Sequence, residues 1–184
     1  MKIISTNITG CYEILPIIFN DLRGTLTKTF HEPTFKEAGL DTIFKEQLYT
    51  VSDKNVVRGM HFQIPPYDHS KLIYCVDGEI NDFVLDLRVG SPSYGEVFST
   101  ILNSIKQNMV YIPSGCAHGY CTSNHKSKVV YSLSTVYNPE NDSGVRWDTV
   151  GIKWPLTNPI LSEKDSNLPT FENFSSPFLY KINK

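Results

Sequence analysis

The sequence predicts an all-β protein: an antiparallel jelly-roll barrel with short peripheral helices. Turn signals recur at short, even spacing while helical periodicity is scarce, the pattern of a sandwich or barrel. Ten Tyr, ten Phe and two Trp in 184 residues suit pleated, half-buried surfaces and a pocket that stacks on flat or sugar-like ligands. That length fits a single domain, 1–184, able to bury a full core. In chain order, Asp21-Leu22-Arg23-Gly24 marks a turn and residues 25–30 follow as a strand. Residues 32–38, closed by Gly39, read as a short capped helix. Residues 44–52 and 55–63 are strands, the second ended by Pro65-Pro66. Residues 71–76 and 79–88 alternate and are joined by Asp77-Gly78, a tight hairpin. Gly90-Ser91-Pro92 turns into strands at 96–102, 109–112, 118–122 and 128–137. Ser162-Glu163-Lys164-Asp165 looks like a capped helix start. The barrel should therefore occupy about 18–156, with 1–17 and 157–184 wrapping it or crossing to a partner.

Lys and Arg total 17 against 19 Asp and Glu, a net charge of −2, so nothing points to nucleic-acid binding through bulk charge. No apolar run approaches the roughly 20 residues of a membrane span. The start, Met1-Lys2-Ile3-Ile4-Ser5-Thr6-Asn7, turns polar too early for a signal peptide. Cys11, Cys75, Cys116 and Cys121 show no CxxC spacing and read as free thiols of a cytoplasmic protein.

Three clusters carry chemistry. In Arg58-Gly59-Met60-His61-Phe62-Gln63, with Lys71 on the next strand, His61 lies between two apolar residues and should face an interior that supplies it a partner. The plainer reading is solvent-facing strand polarity. Pro113-Ser114-Gly115-Cys116-Ala117-His118 resembles the second motif of the cupin superfamily, a jelly roll whose histidine often binds metal. Metal-binding cupins also show an H-x-H and a glutamate; here His61-Phe62-Gln63 stands in that place, a poor ligand set for Zn or Fe. Tyr131 and Tyr137 share parity, so a regular strand puts both on one face. Together these residues suit proton transfer beside a carbonyl. Histidine serves as base, Lys71 and a second histidine as oxyanion stabilisers, Tyr131 as acid, and Arg58 and Arg23 as phosphate clamps. No cofactor and no metal is expected.

Ordered motifs extend this pattern: Asp21-x-Arg23-Gly24, Arg58 through Gln63 with Pro65-Pro66, Lys71-Leu72, Gly78-Glu79, Asp86-Leu87-Arg88, Gly90-Ser91-Pro92-x-x-Gly95, Ile112-Pro113-x-Gly115-x-Ala117-His118-Gly119, Trp147-Asp148 and Gly151-Ile152-x-Trp154-Pro155. Over roughly residues 15–165 the chain resembles the dTDP-4-dehydrorhamnose 3,5-epimerase family, a metal-free cupin branch. The resemblance implies inversion of C3 and C5 of a nucleotide-linked 4-keto-6-deoxy sugar, for cell-surface polysaccharide synthesis. By it, His61 is the base, oriented by Asp165; Lys71 stabilises the enolate; Tyr131 reprotonates from the opposite face. His118, Tyr137 and Gln63 line the sugar pocket, and Arg23 and Arg58 hold the pyrophosphate. The resemblance also implies a homodimer exchanging N-terminal strands. Leu26 and Lys28 stand where the family shows Phe and Glu, and Glu46-Gln47-Leu48-Tyr49 where it shows Gln and Asn. Lys28, Glu46 and Leu48 are thus the residues expected to set base preference. A 3- or 5-only epimerase on another nucleotide sugar, such as a GDP-linked 4-keto-heptose, fits the same residues. So does a sugar-binding cupin without activity, although His61, Lys71 and Tyr131 together argue against it.

Overall fold

The computed structural model describes residues 1–181. It contains two antiparallel sheets and a separate hairpin. The strands are β1 (Lys2–Ser5), β2 (Tyr12–Leu15), β3 (Ile17–Asp21), β4 (Gly24–Lys28), β5 (Glu46–Ser52), β6 (Val57–Gln63) and β7 (Lys71–Asp77). They continue with β8 (Glu79–Asp86), β9 (Val97–Asn103), β10 (Met109–Ile112), β11 (Cys116–Cys121), β12 (Ser127–Leu133) and β13 (Asp142–Gly144). Two short helices join them: α1 (Glu32–Glu37) and α2 (Glu163–Ser166). One sheet runs β1-β2-β10-β7-β12-β5 and the other β13-β6-β11-β8-β9; β3 pairs only with β4.

Three apolar clusters hold these layers. Between the sheets, Ile73, Cys75, Val110, Ile112 and Val129 meet Ile80, Val84, Leu102, Cys116 and Tyr120. The far face of the five-stranded sheet presents Val57, Phe62, Phe83, Leu85 and Ala117, covered by Trp147, Trp154, Phe171, Phe174 and Phe178. Because both its faces are covered, β11 is buried at every residue instead of alternating with solvent. On the outer face of the six-stranded sheet, Phe35 of α1 and Leu40 pack on Ile14, Leu72, Met109 and Tyr111.

The expected barrel, 18–156, starts too late. Residues 2–15 are sheet strands: β1 pairs with β2, and β2 pairs with β10. Buried Ile14 is what draws them in, and two four-residue strands are too short to show their alternation in the sequence. From the C-terminal segment, Leu161, Phe171, Phe174 and Phe178 pack in the second cluster. The strand expected to run to Tyr137 stops at Leu133. Beyond it the Ser134 hydroxyl accepts from the Ser70 N–H, and the Thr135 hydroxyl donates to the Tyr67 carbonyl, so local side-chain bonds replace the ladder. Tyr137 therefore does not share a strand face with Tyr131.

Gly59 is the backbone feature that shapes the site. Its φ is +130°, and an added Cβ would lie 2.5 Å from the Gly119 Cα and 2.9 Å from the His118 carbonyl oxygen. Only glycine fits so close a strand approach. Opposite it the β6–β11 register shifts between His118 and Tyr120. A regular strand would send residues three apart to opposite faces; this irregularity lets both Arg58 and His61 line one cavity.

Candidate active site

One end of the barrel opens into a cavity of about 220 Å³. From the six-stranded sheet come Glu46, Leu48 and Thr50 of β5, Tyr131 and Leu133 of β12, and Lys71 of β7. Leu48 pairs with Tyr131 and Glu46 with Leu133, so paired positions share the inward face. From the other sheet come Arg58, His61 and Gln63 of β6 and His118 of β11, where His61 and His118 are direct cross-strand partners.

His61 Nε2 lies 2.6 Å from Asp165 Oδ1. Asp165 is 2% exposed and is carried by α2, whose first turn is fixed by the Asp165 N–H donating to the Ser162 hydroxyl. The Gly59 N–H donates to the other carboxylate oxygen at 3.2 Å. Burial works to raise the Asp165 carboxyl, but these hydrogen bonds and the His61 imidazole outweigh it and hold it below the carboxylate range. A carboxylate on Nε2 fixes a proton there, which leaves Nδ1 as the lone-pair nitrogen.

Lys71 is buried and its Nζ donates to the His61 carbonyl at 3.0 Å. Burial pushes its ammonium down to about 8, partly opposed by Asp142 and Asp82. His118 forms a second pair, Nε2 to Asp82 Oδ2 at 2.6 Å, both fully enclosed. Burial lowers the His118 imidazole despite Asp82, and Lys71 and His61 add to the shift. The Tyr131 ring packs edge-on against His118 with centroids 5.9 Å apart. Burial raises the Tyr131 hydroxyl well above its ordinary value, with Tyr120 and Asp82 reinforcing it, so the phenol keeps its proton at neutral pH. The Arg58 Nε donates to the Ser52 hydroxyl, and Arg58 has no carboxylate partner among the described residues.

The fold thus gathers His61, Lys71, Tyr131, Asp165, Arg58, His118, Gln63, Glu46 and Leu48. Gln63 lines the cavity, but its amide is spent on Tyr67, Val136 and Asn138. Tyr137 reaches the cavity from its loop, its N–H donating to Glu46 and its hydroxyl to Asp142. Arg23 and Lys28 do not line the cavity of their own chain. They lie on the β3–β4 hairpin, where Arg23 pairs with Asp21 in solvent. The resemblance supplied Asp165 for His61, whereas nothing in the sequence reading supplied a carboxylate for His118; the fold gives it Asp82. Among the described residues no three His, Cys, Asp or Glu side chains converge as metal ligands.

Sequence reasoning missed Asp82, Asp142, Thr50 and His69. Asp82 was legible: it sits in the apolar stripe Ile80-x-Asp82-x-Val84, where an acid demands a partner. Asp142 opens β13, whose three residues are too few to show a period in the sequence.

The family model described as dTDP-4-dehydrorhamnose 3,5-epimerase matches residues 5–173. A protein of that name from Shigella flexneri is 35% identical over 91% of this chain and 94% of its own length. The Bacillus anthracis dTDP-4-dehydrorhamnose 3,5-epimerase, solved with TDP and PPi bound, superposes with a TM-score of 0.89 at 35% identity, covering 92% of this chain and 98% of that one. A dTDP-6-deoxy-D-glucose-3,5-epimerase from Legionella pneumophila, in complex with dTDP-4-keto-L-rhamnose, gives 0.93 at 28% identity over 98% and 99%.

Proposed function

The chain belongs to the dTDP-4-dehydrorhamnose 3,5-epimerase family, and from that membership we propose that it inverts C3 and C5 of a dTDP-linked 4-keto-6-deoxy sugar. The product serves cell-surface polysaccharide synthesis. The single observation that carries the mechanism is the His61–Asp165 pair facing a cavity shared with Lys71 and Tyr131. His61 Nδ1 takes the proton from the carbon beside the ketone. The electrons move onto the C4 oxygen, where the Lys71 ammonium stabilises the enolate. Asp165 stabilises the imidazolium. Tyr131 returns a proton to the opposite face, so the centre inverts. The cavity of about 220 Å³ suits a sugar ring; it is smaller than the roughly 300–1,000 Å³ of sites that enclose drug-sized ligands. The diphosphate then lies along its mouth, where Arg58 offers a planar fork without a competing carboxylate.

The expected result is direct. With dTDP-4-keto-6-deoxyglucose in heavy water, after exhaustive chelation, NMR shows inversion and deuterium at both C3 and C5. Full loss of turnover on chelation, restored by a metal, would overturn the proton-only mechanism.

Lys71 supplies a pH dependence. Its protonated form is the one that stabilises the enolate, and that form is lost as pH rises through about 8. The kcat/KM profile should therefore fall on the alkaline side near pH 8, and Lys71→Arg should move this limb beyond the measurable range. An unshifted limb in Lys71→Arg would assign it elsewhere.

The working form we propose is a homodimer. The β3–β4 hairpin pairs with neither sheet, yet exposes Phe19, Leu22 and Leu26. An apolar ribbon of this kind is marginal alone and calls for a partner surface. It would carry Arg23 and Lys28 to the neighbouring cavity, with Lys28, Glu46 and Leu48 around the base. Light scattering should give twice the chain mass, and Phe19→Asp with Leu26→Asp should give monomer with weakened dTDP binding. Monomeric wild type would end this reading. All four cysteines are free and buried, which suits the cytoplasm. We read the chain as one catalytic domain.

A further inference from the structure

His69 lines the cavity and is used by none of the steps above. It stands in the loop between β6 and β7, two residues before Lys71. Its Nδ1 lies 3.2 Å from the Thr135 hydroxyl and 3.1 Å from the Gln63 amide nitrogen. The orientation of that amide is fixed, because Gln63 Oε1 accepts from the Asn138 N–H at 2.6 Å. The two Gln63 protons have carbonyl acceptors of their own, Tyr67 at 2.8 Å and Val136 at 3.2 Å. The Thr135 hydroxyl gives its proton to the Tyr67 carbonyl at 2.8 Å, which leaves its oxygen free to accept. Nδ1 therefore carries the ring proton and donates it to Thr135. Nε2 is left with a lone pair and makes no hydrogen bond among the described residues. Burial, and then the Lys71 charge, push the imidazole down to about 3, so the ring is neutral throughout the physiological range.

We propose that His69 is a substrate-binding residue of this site: a fixed, neutral imidazole whose Nε2 accepts a hydrogen bond from a hydroxyl of the keto sugar. A half-buried acceptor is incomplete without a donor, and His61 Nδ1, a neutral ring acceptor of the same cavity, is taken by the proton it abstracts. Lys71 beside it is assigned to the C4 oxygen, so a ring hydroxyl near that ketone is the donor within reach. Such an acceptor favours sugars bearing that hydroxyl, because an analogue lacking it leaves a polar group unpaired. The inference rests on the epimerase reading of the cavity.

The test uses the intact protein and two ligands, thymidine diphosphate and a thymidine diphosphate-linked 6-deoxyhexose. Long-range nitrogen–proton NMR of labelled wild type should show His69 protonated at Nδ1. The Nε2 resonance should move with the sugar-bearing ligand and stay in place with the nucleotide alone. His69→Phe should raise KM for the keto-sugar nucleotide about five- to tenfold, the weight of one hydrogen bond. The loss should fall on KM more than on kcat, and thymidine diphosphate affinity should hold. His69→Gln, which can present an oxygen, should recover most of it. An Nε2 resonance unmoved by the sugar, or a KM within twofold in His69→Phe, would overturn the assignment. If wild type itself failed to turn over the keto sugar, the epimerase reading would fail instead.

Discussion

His61→Ala should abolish epimerisation, with a loss of about 10²–10⁴ from the missing base and no wash-in of deuterium at C3 or C5. The cause is specific to abstraction. Lys71, Tyr131 and Arg58 remain, so a nucleoside diphosphate should bind the variant as it binds wild type. Asp165→Asn should lose most of the same activity, because the imidazolium formed in the transition state faces a neutral amide and the proton is no longer held on Nε2. The same substitution carries a stability signature. The folded-state Asp165 carboxyl is depressed below its ordinary 3.8. Its contribution is therefore present above that value and lost as pH falls through the lower folded value. The gap in unfolding temperature between wild type and Asp165→Asn should be full at neutral pH and close under strongly acidic conditions. Equal deuterium exchange in His61→Ala and wild type would remove His61 as the base. A stability gap independent of pH would mean that Asp165 acts by shape alone.

Tyr131→Phe should separate two events that wild type joins. Abstraction needs His61 and Lys71, which the variant keeps. Inversion needs a proton from the face opposite His61, which it lacks. A proton returned by His61 goes back to the face it left and leaves the centre unchanged. The variant should therefore incorporate deuterium at C3 or C5 faster than it forms inverted product, measured by mass spectrometry for label and NMR for configuration. The Tyr131 phenol suits this role because burial keeps it protonated, and a strongly basic enolate carbon accepts a proton even from a weak acid. Exchange and inversion lost in equal measure, or both retained, would pass the role to another group. Tyr137 is the next to test, since it reaches the cavity from its loop.

Much of the architecture was legible from residue order. Alternation located β7, β8 and β10 nearly to the residue, and Ser162 marked the start of α2; Asp77-Gly78 is a tight turn as expected, but it carries the chain from one sheet to the other and closes no hairpin, because β7 pairs with β10 and β12 while β8 pairs with β11 and β9. These are local properties: pleat, turn and cap depend on neighbours in the chain. Free thiols and an all-β class followed in the same way, and the ordered motifs carried the family. The tertiary structure decided the rest. The partner of His61 comes from 104 positions away, and the resemblance alone had suggested it. Arg58 and His61 face one cavity only because the ladder slips beside Gly59, against the two-residue period. Tyr137 left the strand of Tyr131 because Ser134 and Thr135 bond to the neighbouring loop. Asp82 became part of the site only when β11 was set beside β8, and His69 only when the loop before β7 came to line the cavity. The physical reason is common to all of these. A side chain's direction is fixed by its own backbone, but its partner is fixed by which strands become neighbours when both faces of a sheet must be buried.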